Sequence, residues 1–468
     1  MNPTTCVRTL VLVCVLTTAC AARPTTTKAP ASPAASSAAG STAAVIHERA
    51  VRAHMEFLAG DALNGRGSGT RDEWIAASYA GSHMRRLGLE PLGDDGGFVQ
   101  TVNMDRIELT SAPVLTASRH RFTHGKEIVV QTAGAARVTG RLQKWTKGAA
   151  VPGGTVVLLP DPAPADLPSF GRAVVVLSPQ TPLIKERWKL LASRPARVAL
   201  QFPGSAQPPG SMVFLDPGAY SAVSSVAEGE TVTIEADSKP AQRSQTWNAV
   251  GRLPGRSGAD GPAILLSAHL DHLGNRPGPA GDTIFNGADD DASGSIAVLE
   301  LMEALAKGAR LRRTIVFALF GSEESGGGGS RYFAEKPVVP LDRLVANLQF
   351  EMIGRPDAKV PPRTLWLTGY ERSTLGPELA ARGARLVQDP HPEQNFFERS
   401  DNIQFARRGV IAHTVSSYGL HKEYHTAADD IRQIDFAHMT EAIRSMLEPI
   451  RWLANADFVP AWVPGKKP

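Results

Sequence analysis

Residues 263–272 read AILLSAHLDH, an apolar run that ends in a histidine, an aspartate and a second histidine. Such a run is typical of a strand buried on both faces, as in parallel sheets. Similar runs follow at 314–320, 344–350 and 410–415, and an amphipathic pattern at 293–306 separates the first two. This alternation predicts an α/β fold with a doubly wound, mostly parallel sheet and helices on both faces.

Polar side chains follow these strands where each strand ends. His269 and Asp271 come after the first run, Glu323 and Glu324 after the second, and Glu351 directly after the third. Ligands of open α/β sheets bind at the carboxyl ends of the strands. We therefore expect these side chains to line one site.

Two further segments add acidic and histidine side chains. Residues 286–294 read NGADDDASG and place three adjacent carboxylates before a predicted helix. One carboxylate would serve as a helix N-cap, but three repel one another unless cations lie near them. Residues 422–430 read KEYHTAADD and contribute His425. Histidine and carboxylate ligands suit a zinc-like divalent metal.

The order of these motifs resembles that of the co-catalytic dizinc aminopeptidase family. The motifs are His-x-Asp, Gly-Ala-Asp-Asp-x-Ala-Ser-Gly, Glu-Glu, acidic-Met-Ile-Gly and Tyr-His-Thr-x-Ala-Asp. The family includes bacterial secreted leucyl-type aminopeptidases and glutamate carboxypeptidase II. The resemblance covers about 43–125 and 244–457, and FLAGDALNGRGSGT at 57–70 resembles the family's N-terminal entry.

The resemblance implies two zinc ions per chain. His269 would bind one ion and His425 the other, and Asp290 would bridge both. Glu351 would complete the first metal site and Glu324 the second. Glu351 stands where many members have aspartate, without removing a ligand.

The resemblance also implies roles beside the ions. Glu323 would act as the general base, and Tyr424 would stabilise the developing oxyanion. Asp271 would support His269 from behind. Asp291 stands where asparagine is commoner in the family, which adds negative charge beside the bridge.

The implied function is that of an exported metallo-aminopeptidase, which hydrolyses the N-terminal bond of peptides with a free N-terminus. One alternative is a zinc carboxypeptidase of the glutamate carboxypeptidase type, which needs a basic pocket. A glutaminyl cyclase and an inactive relative that serves as a binding module are further alternatives. The arginines available for a basic pocket are Arg355, Arg399, Arg407 and Arg408.

Composition narrows the function classes. The 468 residues include 50 Lys and Arg against 46 Asp and Glu, scattered along the chain, so we expect no nucleic-acid partner. The three cysteines, Cys6, Cys14 and Cys20, all lie at the N-terminus. Cysteine-dependent catalysis and thiolate metal sites are thereby excluded from the rest of the chain.

The N-terminus predicts export. A short apolar run ends in Leu-Thr-Thr-Ala-Cys20, which resembles a lipobox and predicts a lipid anchor at Cys20; a plain signal peptide is the alternative. The predicted location is therefore that of a membrane-anchored lipoprotein, periplasmic or secreted. The predicted division is a signal peptide at 1–20, a flexible linker at 21–44, a zinc peptidase catalytic domain at 45–125 and 244–457, an inserted β-rich domain resembling a protease-associated domain at 126–243, and a tail at 458–468.

Other polar residues near the motifs receive structural interpretations. His272, His413 and His421 match no ligand position of the family, so we expect them to lie behind the ligands or to be structural. Ser400 and Asp401 precede a predicted helix and are interpreted first as its N-cap.

Overall fold

The computed structural model describes residues 46–163, 173–198, 201–202, 210–258, 260–276 and 281–468. The predicted signal peptide and linker lie outside the described residues. Within the described ranges, no helix has both the length and the apolar character that a membrane crossing requires. The α-helices there are α1 (Glu48–Leu58), α2 (Arg71–Arg86), α3 (Pro182–Ser193), α4 (Pro217–Ser224), α5 (Gly294–Ala306), α6 (Gly328–Glu335), α7 (Leu375–Ala381), α8 (Asn402–Ala406) and α9 (Phe436–Asn455).

The strands form two large sheets and one small ribbon. They are β1 (Glu90–Pro91), β2 (Val99–Arg106), β3 (Val114–Ala117), β4 (His120–Thr123), β5 (Ile128–Ala133), β6 (Arg137–Lys144), β7 (Thr155–Leu158), β8 (Ala173–Pro179), β9 (Arg197–Val198), β10 (Ser211–Leu215), β11 (Thr231–Glu235), β12 (Gln242–Leu253), β13 (Ala263–His269), β14 (Gly274–Asn275), β15 (Ile284–Phe285), β16 (Thr314–Phe320), β17 (Leu344–Phe350), β18 (Leu365–Leu367), β19 (Leu386–Gln388) and β20 (Ala412–Ser416).

The first sheet has the order β1-β12-β16-β13-β17-β20-β18-β19, with β2 also paired to β12. Its four central strands, β16, β13, β17 and β20, are mutually parallel. The strands beyond them join antiparallel, at β12 on one side and at β18 on the other. The sheet is therefore mixed, with a parallel centre.

Helices cover both faces of this sheet. Ile264 and Leu266 pack into an apolar cluster with residues of α1, α2, α5 and α9, whereas Ala263 and Leu265 pack into another with residues of α6 and α8. Both faces are buried, which explains why the strands are nearly continuous apolar runs. The predicted α/β class is confirmed.

The second sheet has the order β4-β3-β11-β6-β7-β8-β10-β5-β9. It begins at Val114, upstream of the boundary at residue 126 that the sequence predicts. The chain leaves the first sheet after Arg106 and re-enters it at Gln242, and these two residues are register partners in the β2–β12 pair. The intervening polypeptide thus departs and returns at one point of the first sheet.

Most predicted elements appear close to their expected bounds. The strands at 314–320 and 344–350 have the predicted limits, whereas the last predicted strand begins at Ala412 rather than at residue 410.

The loop between β16 and α6 is held closed by close backbone packing. Gly329 donates its N–H to the carbonyl oxygen of Gly321 at 2.8 Å, and the side chain of Asn248 bonds to both glycines. A Cβ at Gly329 would lie 2.1 Å from Oδ1 of Asn248. Because Gly329 has no side chain, its backbone can pack this closely, and this packing fixes the loop that carries Glu323 and Glu324.

The variant Gly329→Ala should lower the free energy of unfolding by about 1–3 kcal/mol, because the added methyl group forces these atoms apart. Chemical denaturation measures the change. Gly153→Ala is the control, since nothing lies within 4 Å of a Cβ there and its φ is not left-handed. Equal stability of the two variants would contradict the packing argument.

Candidate metal centre

The carboxyl ends of the parallel strands bring the predicted residues together. His269 is the last residue of β13, Glu324 follows β16, and Glu351 directly follows β17. The segment after β20 returns to the same edge and contributes His425. Four separate strands therefore supply the polar groups of one site.

Asp290 lies between two histidines. Its Oδ1 is 3.2 Å from Nε2 of His269, and its Oδ2 is 3.1 Å from Nε2 of His425. Nε2 of His425 is also 3.1 Å from Oε1 of Glu324. Each carboxylate oxygen of Asp290 thus faces a different imidazole, which suits a carboxylate that bridges two ions.

Many polar atoms at this edge are buried but lack a partner with hydrogen-bond geometry within the described chain. Leaving buried polar atoms without partners costs free energy, so a group of such atoms indicates a place where a ligand binds. The nitrogens and carboxylate oxygens found here are ligands that zinc prefers. The residues therefore fit a zinc centre. The atoms concerned are Nε2 of His269, Nδ1 and Nε2 of His272, Oδ2 of Asp290, Oε1 of Glu324 and Oε2 of Glu351.

His272 belongs to this group, although the sequence analysis assigned it a structural role. Its side chain is fully buried, and its Nδ1 lies 2.8 Å from Oε1 of Glu324. His272, Asp290 and Glu324 present ligand atoms that all lie within 4.8 Å of one another. The signal in the sequence is the second histidine of His-Leu-Asp-His, three residues after His269.

The accumulated negative charge shifts the pKa values of the carboxyl groups. Burial, together with the charge of Glu351, raises the pKa of Glu323 well above its usual value. Burial also raises the pKa of Glu351 to about 7. Burial alone would raise the pKa of Glu324, but the imidazoles of His272 and His425 lower it to about 2.

Asp271 supports the site differently from the prediction. Nδ1 of His269 contacts the backbone carbonyl oxygen of Asp271 at 3.1 Å, whereas the nearer carboxylate oxygen is 3.8 Å away. The carboxylate instead accepts the backbone N–H groups of Glu323 at 2.9 Å and Glu324 at 3.3 Å, and the hydroxyl of Ser68 at 2.5 Å. Asp271 therefore fixes the Glu-Glu loop.

Two other aspartates organise the backbone around Asp290. Asp291 accepts the N–H groups of His269, Gly294 and Met352, at 3.2, 2.9 and 3.0 Å. Asp429 accepts the N–H groups of Asp289 and Asp290, each at 3.0 Å. The sequence motif includes Asp429, but its role was not assigned there.

Arg66 forms hydrogen bonds to two of the loops that bear the predicted ligands. Its guanidinium is 1% exposed and donates to the carbonyl oxygens of Leu270 at 2.8 Å, Asn286 at 2.7 Å and Gly287 at 3.0 Å, and to that of Leu58. The charge of this buried cation also offsets that of nearby aspartates. Arg66 lies in the Gly-Arg-Gly of the N-terminal entry motif, which is the available sequence signal.

Tyr424 lies beside the metal centre. Its ring stacks on that of His425 with centroids 3.9 Å apart, and its hydroxyl has a pKa raised well above the usual value by burial and by the charge of Asp290. A solvent-open pocket of about 390 Å³ adjoins it and Glu351. Its other lining residues are Met352, Trp366, Thr368, Phe396, Arg399, Ser400, Thr414, Ser416 and Tyr418.

The predicted N-cap role of Ser400 and Asp401 is wrong. Asp401 has the N-cap position of α8 but makes no side-chain cap hydrogen bond. Its carboxylate instead accepts the hydroxyl of Ser330 and the side-chain amide of Gln349. Ser400 lines the pocket beside Glu351. Both residues therefore belong to the surroundings of the metal centre.

Residues 248–449 match the model of peptidase family M28. The match covers 202 of the 468 residues. The match includes every residue predicted here as a ligand, as the base or as the oxyanion group, and it confirms the resemblance to zinc aminopeptidases. The matched segment begins well after Arg66 and therefore does not include it.

Curated relatives are similar over parts of the chain. Leucine aminopeptidase 1 of Fusarium vanettenii is 25% identical over 248 residues, which cover 49% of this chain and 60% of that protein. The probable lipoprotein aminopeptidase LpqL of Mycobacterium tuberculosis is 29% identical over 103 residues, which cover 22% of this chain and 19% of that protein. The chain spans less than two thirds of the length of these relatives.

Solved structures share the fold. The aminopeptidase from Aneurinibacillus sp. strain AM-1 has a TM-score of 0.50 and 16% identity, over 88% of this chain and 95% of its own. BSAP, a zinc aminopeptidase from Bacillus subtilis, has a TM-score of 0.50 and 18% identity, over 88% of this chain and 96% of its own. The fold of the described chain is therefore that of these enzymes.

The variant Arg66→Met should lower the free energy of unfolding by about 3 kcal/mol or more, because it leaves buried carbonyl groups without donors. Chemical denaturation and zinc affinity are the measurements, and both should fall. Arg49→Met on the exposed side of α1 is the control and should change stability by less than about 0.5 kcal/mol. Similar stabilities of the two variants would rule out the proposed support.

Relative to the zinc-loaded protein, the metal-free protein should lose stability as the pH rises from about 5 to 7. Burial raises the pKa of Glu351 from 4.5 to about 7 and that of Asp401 from 3.8 to about 6. A carboxyl group with a raised pKa in the folded state stabilises below its unfolded pKa, and that contribution is lost as the pH passes the folded pKa. Thermal unfolding of chelator-treated protein across this range measures the loss.

The zinc-loaded protein is the reference for this measurement. Bound cations offset the carboxylate charge, so its melting temperature should change less over the same pH range. Equal declines with and without zinc would show that the carboxyl groups of the centre do not control the pH dependence.

Proposed function

We propose that the chain is an exported zinc-dependent aminopeptidase that removes N-terminal residues from peptides with a free N-terminus. The observation that carries the proposal is the group of unsatisfied buried nitrogens and oxygens centred on Asp290. The M28 match of residues 248–449 and the names of the curated relatives support the reaction class.

The proposed centre holds two zinc ions. His269, Asp290 and Glu351 hold one ion, and Asp290, Glu324 and His425 hold the other. When bound, the ions polarise the peptide carbonyl group and lower the pKa of a water molecule toward about 7. Each carboxylate oxygen of Asp290 faces a different histidine, and this arrangement supports two ions rather than one.

Glu323 is the proposed general base. Its raised pKa suits a carboxylate that takes a proton from the attacking water and passes it to the leaving amine. The hydrogen bond from its backbone N–H to Asp271 holds the residue at the mouth of the site. Tyr424 keeps its phenolic proton at neutral pH and would donate a hydrogen bond from its hydroxyl to the developing oxyanion.

The partners of the nearby arginines favour an amine over a carboxylate as the recognised terminus. Of the four arginines considered for a basic pocket, Arg399 lines the pocket, whereas Arg355 pairs with Glu423 at 3.1 Å. Arg407 pairs with Glu398, and Arg408 donates to a backbone carbonyl group. Arg355, Arg407 and Arg408 thus have other partners, which supports the aminopeptidase over a carboxypeptidase that needs a basic pocket.

Location is the remaining part of the proposal. The chain is proposed to be exported and attached to a membrane through a lipid on Cys20, with the residues up to 44 serving as a tether. The apolar N-terminal run with its lipobox-like ending supports this, as does the similarity to the probable lipoprotein aminopeptidase LpqL.

The decisive experiment combines an aminoacyl-p-nitroanilide panel, metal analysis and the variant Glu323→Gln. The wild type should release p-nitroaniline and lose that activity with chelator. The variant should lose about 10²–10⁴-fold in kcat and still bind two metal ions, because it retains every ligand. Glu56→Gln, an exposed position on α1, is the control and should keep full activity.

Other outcomes assign other functions. Activity only on substrates with a free C-terminal carboxylate would replace the aminopeptidase with the carboxypeptidase. Two bound metals without peptidase activity would overturn the proposed reaction. The absence of metal binding would favour the binding module.

A further inference from the structure

His272 approaches a metal-site carboxylate closely without hydrogen bonding to it. Nδ1 of His272 and Oε1 of Glu324 are 2.8 Å apart, yet neither atom has a partner with hydrogen-bond geometry in the described chain. Because the two atoms do not meet the geometry of a direct hydrogen bond, a third group between or beside them would satisfy both. A cation bound by both atoms satisfies this need.

Four ligand atoms surround the point where that cation would lie. Nδ1 of His272 is 3.8 Å from Oδ2 of Asp290, and Nε2 of His425 is 3.1 Å from the carboxylates of both Asp290 and Glu324. Zinc–ligand bonds of about 2.0–2.2 Å place the ligands of a tetrahedral site about 3.3–3.6 Å apart. Four of the six separations among these atoms are 2.8, 3.1, 3.1 and 3.8 Å and bracket that value.

The imidazole of His272 is confined to this position. Its backbone N–H donates to the carbonyl oxygen of Arg66 at 3.0 Å. Gly287, with a φ of +57°, leaves the space that the ring occupies, and a Cβ there would lie 2.5 Å from Cγ of His272. The packing therefore holds Nδ1 toward Glu324 before any ion binds.

We propose that His272 is a sixth protein ligand of the metal centre and binds, through Nδ1, the ion held by Asp290, Glu324 and His425. This inference rests on the metal centre of the proposed function but not on the reaction. The family-derived ligand set contains two histidines, and the geometry points to three.

The sixth ligand makes the two ions unequal. The ion beside His272 has four protein ligands, as in closed sites, whereas the ion at His269 has three and keeps an open position. Glu351, which would bind the ion at His269, lines the pocket. Water and substrate exchange would therefore occur at the His269 ion.

Direct bonds from histidine to metal can be counted by magnetic resonance. The full chain, labelled with ¹⁵N-histidine and loaded with ¹¹³Cd, should show one-bond ¹¹³Cd–¹⁵N coupling for three of its twelve histidines. The count needs no variant, so it stands even where a substitution disturbs folding. Coupling at only two histidines, or no bound cadmium, would overturn the proposal.

Substitutions then assign the third coupling. His272→Gln should remove one coupling and weaken binding of one ion by at least about 10-fold while the other ion remains. His421→Gln is the matched control, because His421 also faces an aspartate of this region, with Nε2 3.4 Å from Oδ2 of Asp289. Retention of all couplings in His272→Gln would overturn the assignment.

The result is independent of catalysis. A chain with three cadmium-coupled histidines and no peptidase activity would retain the sixth ligand and lose the proposed function. A chain with aminopeptidase activity and only two coupled histidines would retain the function and lose the sixth ligand.

Discussion

The rest of the site depends on one constraint, which is the buried negative charge at the carboxyl ends of four parallel strands. Asp271, Asp290, Asp291, Glu324 and Glu351 lie within one small volume, and isolated carboxylates do not stay ionised in such surroundings. The chain offsets their charge in several ways. Backbone N–H groups, the Arg66 guanidinium and imidazole rings each neutralise part of it. The unsatisfied atoms that remain define where divalent cations belong.

The supports of the site come from outside the strands that carry the ligands. Arg66 and Ser68 lie in the N-terminal entry segment, and Glu73 on α2 accepts the backbone N–H of Ser322 at 2.8 Å. These residues hold the loops that bear His269, Asp290 and the Glu-Glu pair. The segment that matches family M28 is therefore only part of the unit that shapes the site, and its ligand loops depend on residues more than two hundred positions upstream.

Local sequence pattern predicted the elements that depend on local physics. The strands at 314–320 and 344–350 were predicted because their burial on both faces requires continuous apolar runs. The mixed pairing of the sheet was not predicted, since the antiparallel β2–β12 pair joins segments separated by the whole second sheet. Periodicity carries no information about such distant partners.

The residues of the site likewise divide into those that the sequence predicts and those that it does not. Asp290, Glu324 and His425 followed from the order of the motifs, and the structure brings their ligand atoms together. The approach of His272 to Glu324 was not predicted, because spacing along an irregular loop does not tell which way an imidazole points. Its position depends on the space beside Gly287, which no pattern of side chains reveals.

The pairing of Arg106 with Gln242 in the β2–β12 ladder bears on how the chain can evolve. Because the polypeptide leaves and re-enters the first sheet at neighbouring residues, a short hairpin turn could join β2 to β12 without moving either strand. Material between these two points can be gained, lost or exchanged while the metal-binding edge stays intact. Relatives of this protein can therefore differ greatly in length here and still share one reaction centre, with the second sheet free to diverge in sequence and in what it contacts.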